Sequence, residues 1–397
     1  MPLAGLLLLW GTLACSVHPR QVLELQNGSA NKGDGCTRHA ASRTWDSAMK
    51  YINSLTGLRG LAAFIVFVSH CANQGMLPEI FGNGFGQVGV MLFFVLSGFL
   101  MGHLYLGKEA SAANIERYLL ARVARIFPLY ILLILLSVLI STTIYADFHY
   151  QITEPNVILR ALLFIDAPYE FWTIPVEVQF YGVFIIFWIF YQRSVGVLPT
   201  VGLILLTLVP SLILFPKLGY VPALFSSYSL PFFIGIGTAI LYPHIERNPF
   251  CHKLAAYVAV PCVIALFLNL PAVRAANGWV LGDGFFMRTW ADPLNWIIVY
   301  CIFFCAMLNP RGLKFLNARP FVLLGEISFG FYLVHYPILK IVKALGVPVP
   351  LQFVTSALVV SLIAWASYTC FEKPVNNALR DRLTRRAVRL SPRRQHA

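Results

Sequence analysis

Charge is scarce in this chain. Only 12% of its 397 residues are Asp, Glu, Lys or Arg, against 58% hydrophobic residues and a mean hydropathy of +0.70. Soluble domains carry about 25% charged residues to keep their surfaces wet, so an ordinary soluble globular domain is excluded. Acid is scarcer than base, with 17 Asp and Glu against 30 Lys and Arg, for a formal net charge of +13. An excess of that size raises the question of nucleic acid. No basic groove-reading motif accompanies it, however, and the basic residues fall in short blocks between apolar runs and in the tail Arg380 to Arg394, so no nucleic-acid partner is expected. The eight cysteines include no CxxC pair; most lie inside apolar segments. Cys301 and Cys305 share a helical face with no His nearby and read as core packing, which leaves no metal site to expect. No internal repeat of the kind that builds two-half transporters is evident.

What the chain has instead is apolar runs, each close to the roughly 20 residues that cross hydrocarbon as a helix. They fall near 52–74, 86–106, 126–146, 176–192, 196–215, 222–241, 254–270, 294–309, 321–340 and 350–370. The fold class that follows is all-α, a polytopic membrane helical bundle of about ten transmembrane helices. Orientation can be read from Lys and Arg alone. With the first run entering from the cytoplasm, the inner segments carry Lys50, Lys108, Arg117, Arg122, Arg125, Arg193, Arg247, Lys253, Arg311, Lys314, Arg319 and the arginine-rich tail. The outer ones carry only Arg160, Lys217, Arg274, Arg288, Lys340 and Lys343. Both termini are therefore expected in the cytoplasm and the chain in the inner (plasma) membrane. Two outer loops are long: 147–175, with Asp147, Glu154, Asp166 and Glu170, and 271–293, with Trp279, Asp283 and Trp290. Upstream, residues 3–15 resemble a signal-peptide core but lack its basic flank, and Met49 opens directly onto the first strong run. Residues 1–48 are expected to be a non-functional or poorly ordered extension, 49–375 the membrane domain and 376–397 a basic cytoplasmic tail; a real signal or anchor is the alternative for the first segment.

The informative residues are polar ones at membrane depth, which are expensive there unless paired or functional. In "GLRGLAAFIVFVSH", Arg59 and His70 are eleven residues apart, which returns them to within about 20° of one helical face with a rise of roughly 16 Å. "ARVARIFPLY" places Arg122 and Arg125 three apart on one face at the inner end of the third run. Guanidinium forks suit phosphate oxygens, so Arg59, Arg122 and Arg125 form a candidate inner anion site, with snorkelling and positive-inside anchoring as the structural alternatives. Toward the outer side, "FWTIPVEVQFYGVF" carries Trp172, Glu177, Gln179 and Tyr181, and "GEISFGFYLVHYP" carries Ser328, Tyr332 and His335 as one stripe. Glu177, His70 and His335 are expected to converge, since a carboxylate beside an imidazole is the usual composition of a general base and its orienting partner. Interhelical hydrogen bonding is the alternative for the stripe. The glycines of "GQVGVMLFFVLSGFLMG" read as sites of close helix packing.

Taken together and in order, Arg59 and His70, "GVMLFFVLSGFL", "RVARIFPLY", "WTIPVEVQFY", "ISFGFYLVHYPIL" and "FEKP" resemble the acyltransferase 3 family of integral membrane O-acyltransferases, over about 52–375. The resemblance implies a ten-helix enzyme that takes an acyl group, usually acetyl, from cytoplasmic acyl-CoA and places it on a carbohydrate or glycolipid hydroxyl at the far side. It further implies that Arg59, His70, Arg122, Arg125, Glu177, Ser328, Tyr332 and His335 occupy motif positions. Met91 departs from the acidic residue often found there, and Pro175 and Val178 depart from serine and glutamate. Some relatives carry a fused extracytoplasmic hydrolase-like domain, and this chain is expected to act alone or hand over to a partner. On this reading Arg59, Arg122 and Arg125 hold the donor's phosphates, His70 and His335 with Glu177 perform acid–base work, and Trp172, Tyr181, Ser328 and Tyr332 support substrate or structure. Acetyl-CoA is a donor substrate, with no permanently bound cofactor. A multi-span transporter or flippase of a glycan or small solute is the competing reading, since Arg59, His70 and Glu177 could also line a proton or substrate path.

Overall fold

A computed structural model describes residues 52–145, 148–193, 225–278, 290 and 292–378. The expected extension 1–48, Met49, the fifth run at 196–215 and the tail from 379 lie outside the described residues. Within them the chain is helical, and no strand occurs. In chain order the helices are α1 (Asn53–Asn73), α2 (Gly86–Tyr105), α3 (Ala112–Leu139), α4 (Pro155–Leu162), α5 (Thr173–Gln192), α6 (Ser229–Arg247), α7 (Pro249–Leu268), α8 (Pro271–Ala276), α9 (Pro293–Leu308), α10 (Arg319–Glu326), α11 (Ser328–Ala344) and α12 (Val349–Ser367). Nine of the ten expected runs overlap these helices. Among the described residues, six helical stretches are long and apolar enough to span hydrocarbon, and up to eight if two bent pairs each count once, so ten spans are not reached here.

One bent pair begins where the expected run at 294–309 ends, and the other breaks the run expected at 321–340. α9 ends at Asn309, whose φ of 51° lies in the left-handed region, and Pro310 follows, so the chain cannot continue the helix and turns by 78° into the 3-10 segment Arg311–Asn317. The run at 321–340 is broken between α10 and α11 by 80°. A broken helix leaves carbonyls that hydrocarbon cannot solvate, and internal donors must supply the hydrogen bonds. Here the Gly325 carbonyl accepts from Ser328 Oγ and from Arg59 Nε, each at 2.9 Å.

α1 is the axis of the bundle. It packs against α2, α10 and α11, while α2 also packs along α6, and α11 against α12. Close approach is what the glycines provide. A Cβ at Gly98 of α2 would lie 2.0 Å from the Phe232 carbonyl oxygen of α6, and one at Gly89 would lie 2.4 Å from the Ala62 carbonyl oxygen of α1. The apolar stretch of α1 is 72% buried, against 22% for α7 and for α12. Those two outer helices present Tyr257, Ile264, Leu358 and Leu362 outward, an apolar band that water would penalise and lipid accepts.

Candidate active site

α1 ends in a turn through Gly75, at φ 78°, and the chain returns into α2 at Gly86. The close α1–α2 crossing therefore puts the first turn of α2 beside the last turns of α1. Between them lies a cavity of about 130 Å³, lined by Val66 and His70 of α1, by Gly86, Gln87 and Val90 of α2, by Tyr332 of α11, and by Tyr169, Glu170 and Trp172. The last three sit on the 3-10 turn that leads into α5. Tyr169 holds φ at 54°, a conformation that non-glycine residues rarely adopt, and the bend there turns Glu170 toward the cavity.

Around this cavity the rings are crowded. His70 lies 5.1 Å from His335 and 4.8 Å from Tyr336, measured between ring centroids. His149 stacks on Tyr336 at 4.0 Å and its Nε2 is 3.2 Å from Glu170 Oε2. Tyr336 accepts a hydrogen bond from Gln74 at 2.8 Å, and the Tyr332 hydroxyl donates to the Glu170 carbonyl at 3.0 Å. Tyr150 donates to the Leu333 carbonyl at 3.1 Å; burial, with Glu170 beside it, pushes its phenol well above the ordinary range and keeps that donor protonated.

The two histidines are not equivalent. His335 Nδ1 pairs with the Tyr332 carbonyl, and a carbonyl can only accept, so Nδ1 carries the proton and the neutral ring keeps its lone pair on Nε2. That Nε2 is buried without a hydrogen-bond partner among the described residues, and so is His70 Nδ1. Two open, buried ring nitrogens on neighbouring imidazoles are an arrangement for passing or sharing a proton.

The arginine end of α1 is built differently. Arg59 is tied to Gly325 at the α10–α11 break, as described. Arg122 lies over the Tyr181 ring at 5.9 Å. Tyr181 donates to Glu177 Oε1 at 2.7 Å, the same oxygen that accepts from Ser97 at 2.9 Å, and the Tyr118 hydroxyl donates to the Tyr181 carbonyl at 3.1 Å. Arg125 and Arg59 both act electrostatically on Glu372, the acid of "FEKP", which is 8% exposed and accepts from Ser367 at 3.2 Å. Arg122 thus stands over Tyr181, while Arg59 and Arg125 lie within electrostatic reach of Glu372.

Two sequence expectations need correction. Glu177 does not accompany His70; it faces Ser97 of α2 and Tyr181 one turn along α5. The acid of the cavity is Glu170, which the loop before α5 delivers. Ser328 and His335 are not among the residues that line the cavity with Tyr332; the helix break at Ile327 turns Ser328 to cap Gly325. Arg59 is not among the residues that line the cavity. Trp172 and Tyr332 do line it, and Trp172 packs on Tyr228 at 4.7 Å. His149, Glu170, Tyr336 and Gln87 were not singled out by sequence reasoning. The signal that was available is the length of the 147–175 loop, since long connections over a rigid scaffold often carry function.

A bundle of apolar helices with an internal imidazole cluster at one end of its central helix and an arginine network at the other defines a multi-pass helical membrane protein with a polar interior site. More narrowly, the chain belongs to the acyltransferase domain family, whose model matches residues 52–370. It is 24% identical over 360 residues to "Putative peptidoglycan O-acetyltransferase YrhL" of Bacillus subtilis (strain 168), covering 82% of this chain and 55% of that protein. It is 22% identical over 384 residues to "Putative O-acetyltransferase SACOL0978" of Staphylococcus aureus (strain COL), covering 87% and 59%. A third relative, "O-acetyltransferase OatA" of Staphylococcus aureus (strain NCTC 8325 / PS 47), is 22% identical over 368 residues, covering 82% and 57%. The chain thus spans a little over half the length of the curated relatives it matches. No solved structure matches it.

Proposed function

We propose that this protein is a membrane O-acyltransferase, and specifically an O-acetyltransferase that uses cytoplasmic acetyl-CoA to acylate a carbohydrate or glycolipid hydroxyl on the far side of the plasma membrane. Family membership supports the reaction class. The names of the relatives favour acetyl and a cell-wall glycan acceptor. The Lys and Arg distribution favours cytoplasmic termini and puts the Arg59 end of α1 inside.

One observation carries the reading: His70 lines a cavity, with the open ring nitrogen of His335 behind it, some eleven residues, roughly 16 Å, along the same helix from Arg59. An extended pantetheine arm has a comparable reach. Arg59, Arg122 and Arg125 hold the phosphates of the donor at the inner end, and the thioester lies in the cavity. His70, whose ring lines the cavity, takes the proton of the acceptor hydroxyl through Nε2. A turn of either ring would bring His335 Nε2, whose lone pair is open, to accept from His70 Nδ1–H as the imidazolium forms. Glu170, paired with His149, supplies the negative charge nearest this step. Glu177 stabilises the arginine network rather than the base. The acyltransferase unit is taken as 49–375.

Purified full-length protein supplied with acetyl-CoA should release free thiol and acetylate a soluble glycan acceptor, and His70→Ala should stop both while leaving the amount of membrane-inserted protein unchanged. Absence of thiol release by the unaltered protein would overturn the reading. Transport is the second reading, and the two bent helix pairs favour it, because broken spans commonly surround substrate paths. Against it, the carbonyl freed at the α10–α11 break is already occupied by Arg59 and Ser328. Glycan movement into vesicles without thiol release would decide for transport.

A further inference from the structure

Gln87 lines the cavity beside His70, in the first turn of α2, and nothing above gives it a task. Its side-chain oxygen accepts a hydrogen bond from the Trp290 indole nitrogen at 2.8 Å, across 203 residues of sequence. An indole N–H is a donor and nothing else, so the chemistry fixes which way the amide faces: oxygen to Trp290, nitrogen away from it. The Gln87 amide nitrogen has no hydrogen-bond partner among the described residues. Trp290 is in turn held firmly. It is 5% exposed, packs against Tyr228 at 4.8 Å and Phe94 at 5.9 Å, and its carbonyl accepts from the Trp296 indole at 2.8 Å. A locked tryptophan therefore presents a free amide N–H2 at the wall of the cavity where His70 stands. A glutamine needed only to satisfy the indole would not have to stand there, because any carbonyl oxygen accepts equally well.

We propose that Gln87 is a catalytic residue that donates a hydrogen bond to the acyl carbonyl oxygen as negative charge builds on it, and that Trp290 is the positioning residue that keeps the donor aimed. The proposal rests on the acyltransferase reading above. The acceptor hydroxyl gives its proton to His70, its oxygen forms a bond to the thioester carbonyl carbon, and the carbonyl electron pair moves onto oxygen, where the Gln87 N–H meets it. When that pair returns, the carbon–sulfur bond breaks, and the departing thiolate takes the proton from His70. Thioester and alcohol become ester and thiol with no further reactant. Fixed donors aimed at a developing oxyanion in a site shielded from water act mainly on the transition state, so their loss lowers kcat more than it raises KM.

Gln87→Glu is the sharpest variant. It keeps the size of the side chain and can still accept from Trp290, but the ionised carboxylate has no proton to donate. In full-length protein assayed by thiol release from acetyl-CoA, kcat should fall about 100-fold with KM for acetyl-CoA changed less than about threefold. As pH drops, the protonated carboxyl regains a donor, so the ratio of variant to unaltered kcat should rise; Gln87→Leu should show the same loss without that recovery. Trp290→Phe keeps a ring in place, frees the amide to rotate, and should lower kcat about tenfold. A kcat for Gln87→Glu within about threefold of the unaltered protein overturns the proposal, as does a loss carried by KM alone. If the unaltered protein releases no thiol, the acyltransferase reading has failed first and the role of Gln87 falls with it; if it releases thiol and the variants match it, only Gln87 is refuted. Should Gln87→Leu fail to fold, Gln87→Glu and Trp290→Phe still decide whether the donor is needed.

Discussion

Arg59 and His70 share one helix, yet the two ends of α1 gather different kinds of polar residue. At the arginine end the Gly325 carbonyl accepts from Arg59 and the Tyr181 ring, behind which stands Glu177, lies under Arg122, whose Nε has no hydrogen-bond partner among the described residues. At the histidine end, two imidazole nitrogens are left open, one of them on a ring that lines a cavity. The difference follows from what each group costs. A guanidinium is always charged and must have a counter-group wherever it is taken out of water, whereas an imidazole can be buried neutral with a lone pair to spare. The first end is therefore a cluster of fixed cations, and the second holds neutral rings with lone pairs to spare.

The contrast can be broken by four changes, from the largest effect to the smallest. His70→Ala should lower acyl transfer about 1,000-fold without reducing the protein in the membrane, as measured by thiol release and by immunoblot; turnover above a tenth of normal would remove the proton-moving end. Gly98→Leu should damage both ends at once, since even a Cβ there meets the Phe232 carbonyl at 2.0 Å. Thermal unfolding in detergent should show a destabilisation of about 1–3 kcal/mol or more, and an unchanged melting temperature would mean that α2 and α6 do not approach so closely. Arg59→Ala should raise KM for acetyl-CoA about tenfold with kcat little changed, because it removes ground-state and transition-state binding alike. Finally, a pair of amide replacements separates the two acids. Glu170→Gln, next to His149 at the cavity, should shift the pH–rate profile, while Glu177→Gln should leave that profile in place and only weaken donor binding a few-fold. The opposite pattern would restore Glu177 as the partner of His70.

Much of this arrangement was legible from spacing. Helical period alone put Arg59 and His70 on one face and Arg122 beside Arg125, and the glycines of α2 were readable as contact points. What the period cannot report is which neighbouring helix a face meets. Glu177 was assigned to the wrong cluster for that reason: α5 turns it toward Ser97 and Tyr181 rather than toward α1. The break at Ile327 was hidden because Ile-Ser-Phe reads as continuous helix. It depends on Arg59, 266 residues away from Gly325, to satisfy the exposed carbonyl. Glu170 and His149 were obscured by lying in a loop, where no period constrains direction, and their convergence is set by the left-handed backbone at Tyr169 and by stacking on Tyr336.

The central claim is that donor phosphates and acyl carbon sit at opposite ends of α1. A structure of the full-length protein with a non-hydrolysable thioether analogue of acetyl-CoA tests it most directly. The account predicts phosphate oxygens within hydrogen-bond distance of Arg59, Arg122 or Arg125 and the acyl group in the cavity against His70. An analogue bound with its phosphates elsewhere, or with its acyl group away from His70 while the arginines keep Glu372 and Tyr181, would contradict it.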